Sequence, residues 1–211
     1  MTIPLFRSWC GICAALCCVL LGTLVAAQSG PAPGSTEIQA WTAGGYSVPG
    51  GRGHTGVWNA GFRYGWVLLG PHGPGFLRGE FEYAIDAVPL FLVFQPRNTA
   101  HGVGFNPLNL KWNFIRGTGG PQPPSELLAS RVFIPYAELS GGVLFTDHTV
   151  PAFTDTINFT PSAALGLHIL RPALTWTVEA RYLHISNAGL ERLNPGINTF
   201  EVKLGVGRFR K

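Results

Sequence analysis

Near the C-terminal end of the 211-residue chain, His184 and Ser186 have the types and spacing that hydrolytic chemistry requires. On an extended strand, residues i and i+2 share a face with Cα atoms about 6.5 Å apart. An imidazole so placed can reach the neighbouring hydroxyl and take its proton as the hydroxyl attacks a carbonyl. His-x-Ser is a short motif, and a polar pair at the rim of a membrane protein is the simpler alternative. The other candidates carry less. His54, His72, His101, His148 and His168 lack H-x-x-x-H or other metal spacing and read as solvated or interior histidines, so no metal and no cofactor is expected. Glu80 and Glu82 share one strand face and, with Arg78, read as a charge cluster rather than a carboxylate pair for glycosidic chemistry. The Gly-x-Gly patterns at 102–104 and 205–207 lie in strand-like sequence, not in nucleotide loops.

The strand that must carry the pair is legible. Over 174–186, Leu174, Trp176, Val178, Ala180 and Tyr182 alternate with Thr175, Thr177, Glu179 and Arg181. Over 200–208, Phe200, Val202, Leu204 and Val206 alternate with Glu201, Lys203, Gly205 and Gly207. Successive side chains on a strand point to opposite faces, so one face is apolar and the other polar. In a soluble protein the apolar face would look into a core; in an outer-membrane barrel it looks out at lipid and the polar face fills the lumen. The alternation by itself allows both. By parity His184 and Ser186 continue the apolar face.

The N-terminal sequence bears on that choice. Arg7 precedes an uncharged run from Trp9 to Ala27 that ends in the small residues Ala26-Ala27, which reads as a cleaved secretory signal over 1–27. All four cysteines (Cys10, Cys13, Cys17, Cys18) lie inside it, so the expected mature chain has neither a disulfide framework nor a thiolate metal site. The formal charge is +4, or +3 without Arg7, and no basic cluster resembles a nucleic-acid surface. An exported, staple-free chain with few charges and alternating aromatics fits a closed sheet in a membrane, where every backbone group is paired internally.

The expected fold class is therefore all-β, an eight-stranded antiparallel transmembrane β-barrel over 37–211, preceded by a flexible segment over 28–36. The strands are read at about 37–46, 56–69, 77–88, 101–116, 131–146, 157–170, 173–187 and 198–209, separated by turn-rich sequence. An even count puts both ends on the periplasmic side, with 47–55, 89–100, 147–156 and 188–197 as extracellular loops. Residues 117–130 are long for a periplasmic turn.

The segment Tyr182-Leu-His184-Ile-Ser186-Asn187-Ala188-Gly189-Leu190, followed by Asn194-Pro-Gly196-Ile-Asn198, resembles the signature of the lipid A 3-O-deacylase (PagL) family. The resemblance implies an eight-stranded outer-membrane barrel with a Ser-His-Glu site on its lipid-facing wall. It implies lipid A or lipopolysaccharide, among the outer-membrane lipids, as the partner, and removal of an ester-linked acyl chain as the reaction. Position by position, His184 matches the general base and Ser186 the nucleophile. Asn187, Ala188, Gly189 and Asn194 match the region that stabilises the oxyanion. Asn198 stands where the family has its acid. An amide there keeps a hydrogen bond to the imidazole but supplies no charge; in a serine protease the corresponding Asp-to-Asn change lowers turnover about 10⁴-fold. Two readings follow: a serine esterase with a Ser-His-Asn site, and a non-catalytic structural or lipid-binding barrel.

Overall fold

A computed structural model of the chain describes residues 30–115 and 132–211. The expected signal over 1–27 and the 117–130 turn lie outside the described residues. The strands are β1 (Thr36–Ser47), β2 (Gly56–His72), β3 (Gly79–Phe94), β4 (Thr99–Phe114), β5 (Val132–Thr146), β6 (Ile157–Phe159), β7 (Ser162–Leu170), β8 (Thr175–Ile185) and β9 (Ile197–Arg210). All pairings are antiparallel, and a ladder from Thr36↔Arg210 to Ser47↔Thr199 joins β9 back to β1, closing the sheet. β6 and β7 both pair with β5 and together fill one place in the wall, so the barrel has eight strands.

Three places bear on the sequence reading beyond shifts of one to three residues at strand ends. The strand expected over 157–170 is interrupted at Thr160-Pro161, because proline has no N–H to give to a ladder; the register with β5 carries across the interruption, and Thr160 N–H bonds Gly142 O at 2.9 Å. The loop expected over 89–100 shrinks to 95–98, because β3 continues past Pro89 through a register shift between Val88 and Phe91. Such irregularities are where a sheet tolerates proline. Of the segment 28–36, residues from Gly30 on are described, and they run beside β2: Gly34 N–H bonds Val67 O, Val67 N–H bonds Ser35 O, and Ser35 is buried.

The polar face of every strand turns inward. Arg63 bridges Asp86 (2.7 Å) and Glu138 (2.5 Å), and Lys111 bridges Glu37 (2.6 Å) and Glu82 (3.1 Å). Arg181 pairs with Glu201 at 2.5 Å, Lys203 with Glu179 at 3.2 Å, and the Tyr136 hydroxyl donates to Glu179 at 2.6 Å. His168 of β7 completes the circuit, 3.0 Å from Thr177 and stacked on Tyr136. All eight wall positions thus contribute to one belt. Glu80 and Glu82 are interior as expected, but Arg78 is not their partner: it is exposed in the preceding turn, and Lys111 takes Glu82. Apolar clusters close the lumen on either side of the belt, Val67, Leu170 and Phe209 on one, and a larger set including Trp41, Phe91, Leu144 and Ile185 on the other.

Outward, the wall presents Trp176, Val178, Tyr182, Phe200, Val202, Leu204 and other large apolar side chains, all exposed. So continuous an apolar surface suits lipid and not water. Charge inside and apolar residues outside is the inverse of a soluble core, which decides between the two readings of the alternation.

Removing the centre of the belt should be severe. Arg63→Met leaves Asp86 and Glu138 buried without the guanidinium that bridges them, expected to cost about 3–5 kcal/mol, read as lower thermal stability in detergent and loss of the compact band on unheated SDS gels. On the outer wall, Val202→Arg is expected to cost about 2–4 kcal/mol if it lies at the bilayer midplane.

Candidate active site

β8 carries Trp176, Val178, Ala180 and Tyr182 outward, and His184 is the next residue on that face. β9 carries Phe200, Val202 and Leu204 outward, and Asn198 continues that set one step toward the rim. The register sets His184 directly opposite Asn198, with His184 Nδ1 2.6 Å from Asn198 Oδ1. A carbonyl oxygen only accepts, so this bond needs the proton on Nδ1, and in the neutral ring Nε2 then keeps its lone pair. That is the tautomer a general base needs.

Ser186 follows the end of β8 and is nearly buried, at 8% exposure. Its backbone is fixed in both directions by β6: Phe159 N–H donates to Ser186 O (2.7 Å) and Ser186 N–H to Phe159 O (3.1 Å). His184 N–H donates to Pro161 O at 3.0 Å. The break in the sixth wall strand therefore brackets the pair, and parity puts Ser186 on the His184 face. The hydroxyl is not hydrogen-bonded to the imidazole; such bonds commonly tighten only when substrate is bound.

Among the described residues no acid meets the His184 ring. Glu201 is buried in the lumen with Arg181, Glu179 with Lys203, and Glu191 is exposed in the β8–β9 loop. The residue on His184 is Asn198.

The family model for lipid A 3-O-deacylase (PagL) matches residues 93–207, more than half of the chain. The chain belongs to the lipid A 3-O-deacylase (PagL) family. Among solved structures, the outer membrane enzyme PagL superposes with a TM-score of 0.53 at 18% identity, covering 79% of this chain and 97% of that one. The outer membrane protein OprG from Pseudomonas aeruginosa superposes with a TM-score of 0.50 at 12% identity, covering 86% of this chain and 98% of that one. Both show the barrel fold. Among curated proteins no sequence matches.

The remaining residues that the PagL-family resemblance singles out lie in the loop after Ser186. Asn187 is buried and ties that loop together: its Oδ1 accepts from Gly189 N–H (2.9 Å), its Nδ2 donates to Leu193 O (3.1 Å), and its backbone N–H donates to Asn194 Oδ1 (3.2 Å). Ala188 sits at φ 53°, a left-handed conformation uncommon for a residue with a side chain. Asn194 is exposed, its carbonyl engaged by Asn187 and its amide nitrogen turned to no partner among the described residues.

The structure adds residues around this end of the barrel to which the sequence reading gave no role. Gly196, at φ 63°, lies so close to the imidazole that an added Cβ would stand 2.8 Å from His184 Cε1. Phe159 and Pro161 fix the pair through their backbones, so their side-chain types gave no signal. The β5–β6 loop that leads into β6 is anchored at Asp147, whose carboxylate meets His148 Nδ1 (2.9 Å) and His101 Nδ1 (3.2 Å). These contacts, that with His148 first, hold the Asp147 carboxyl down at about 2.

The Asn187 bonds make a direct test. Asn187→Ala is expected to speed hydrogen exchange of the Gly189 amide about tenfold or more, the loss of roughly one hydrogen bond, while amides of β8 and β9 keep their protection. Unchanged exchange at Gly189 would mean that the loop does not depend on this side chain.

Proposed function

We propose that the protein is a serine esterase that hydrolyses an ester-linked acyl chain of lipid A, or of a related acylated lipid, in the outer leaflet. The observation that carries the reading is the His184 Nδ1–Asn198 Oδ1 bond on the lipid-facing wall, with Ser186 two residues further on that face. Ser186 Oγ attacks the ester carbonyl while His184 Nε2 takes its proton. The tetrahedral intermediate collapses, the sugar oxygen leaves with that proton, and the acyl chain remains on Ser186. Water, deprotonated by the same nitrogen, then releases the fatty acid. The developing oxyanion needs donors already in place. The Ala188 N–H and Asn194 Nδ2 are the candidates, since Asn187 and the Gly189 N–H are occupied in holding the loop. In this reading residues 1–27 are the export signal and the strand ends bearing the pair face the extracellular side.

Asn198 orients the imidazole but supplies no charge to the imidazolium that forms. The same observation favours a second reading, a PagL-family barrel that binds lipid without hydrolysing it. Mass spectrometry of lipid A from a host expressing the protein separates the two. Loss of an ester-linked acyl chain is expected with the natural chain and is absent with Ser186→Ala. Asn198→Asp, which keeps the side-chain length seen at 2.6 Å, is expected to raise turnover on the order of 10²-fold or more. If the natural chain, Asn198→Asp and the longer Asn198→Glu all leave lipid A intact, the lipid A esterase reading is wrong.

A further inference from the structure

A carboxylate can serve an imidazole with either oxygen, and its charge still acts when the contact loosens. An amide has one accepting end and must be held close and well aligned, because hydrogen bonds weaken steeply as they bend. A site built on Asn198 therefore needs something to hold that amide. The β1–β2 loop is seated on it. Val48 N–H donates to Asn198 O and Arg52 N–H to Gly196 O, both at 2.8 Å, so the loop is fastened on either side of the Asn198 segment. Between these two bonds lies Gly50, at φ 108°, where a Cβ would stand 2.8 Å from Asn198 Nδ2. The end of the amide remote from His184 thus rests in a space that exists because residue 50 has no side chain.

We propose that Gly50 is a positioning residue that holds the Asn198 amide against His184, supplying by shape the alignment that a carboxylate supplies by charge. This rests on the esterase reading for its effect on turnover, but not for its effect on the imidazole. A side chain at position 50 displaces the amide, breaks the Oδ1–Nδ1 bond and frees the proton to move to Nε2, so that the base is lost. A merely structural role for the loop would damage the site whatever stands at 198. A positioning role is relieved when 198 is an acid.

The test uses full-length protein purified in detergent with ¹⁵N-labelled histidine, the His184 signal being assigned by its loss in His184→Gln. In the natural chain the neutral His184 ring is expected to carry its proton on Nδ1. In Gly50→Ala the signal is expected to move toward the Nε2–H form. Gly53→Ala, in the same loop but with open space around it, should leave the signal unchanged. Where turnover is measurable, Gly50→Ala should lower kcat about tenfold or more with little change in KM, but less than about threefold in an Asn198→Asp background. An unmoved tautomer in Gly50→Ala, or equal fractional losses in both backgrounds, overturns the proposal. If no variant turns over lipid, the esterase reading fails while the tautomer still decides the role of Gly50. If Gly50→Ala does not fold, a nuclear Overhauser contact between the Gly50 α-protons and the Asn198 amide protons in the natural chain decides; its absence counts against the proposal.

Discussion

Lipid offers no partner to an unbonded N–H or C=O, and each one left open in the hydrocarbon costs several kcal/mol. The ladder between β1 and β9 meets that constraint by removing the last free edges of the sheet. Once the sheet is closed, strand parity fixes two environments. Each residue faces either a narrow lumen or the bilayer, and a shift of one residue would exchange the two sets. The buried belt around Arg63 and Lys111 enforces the register, because a slip would drive its charges into lipid.

The candidate site follows from the same parity. His184 and Asn198 end up side by side because β8 and β9 are in register and both residues fall on the outward face at the rim. Polar groups are tolerated there because the strands are ending and loops fold over them. Asn198 and Ser186 are nearly buried although they sit on the outer wall. The site resembles a lined recess in the barrel's edge, with its floor made by β8 and β9 and its borders by three other segments: β6, the β1–β2 loop and the β8–β9 loop.

That arrangement gives Asn198 a physical context. A neutral third residue can keep an imidazole in the right tautomer only by geometry, and the geometry comes from backbone contacts. Val48, Arg52, Phe159 and Pro161 act through main-chain atoms, and Gly50 and Gly196 act by leaving room. None of these carries a side-chain signature of chemistry, so a search for nucleophiles, bases and acids passes over them. Asn198 is visible as one letter of sequence; what surrounds that letter is not.

The alternation in 174–186 and 200–208 determined the strands, their two faces and the joint membership of His184 and Ser186 on one of them, because period-two patterning is a local property of an extended chain. The segment 182–198 likewise carried the family likeness later matched by the wider 93–207 comparison. Three things were decided only in three dimensions. Which face meets lipid depended on closure, since alternation looks the same in a sandwich and a barrel. The break at Pro161 and the continuation of β3 past Pro89 depended on whether neighbouring strands could absorb a missing N–H. The contact between His184 and Asn198 depended on cross-strand register, set by the whole circuit of pairings and the charges locked inside it.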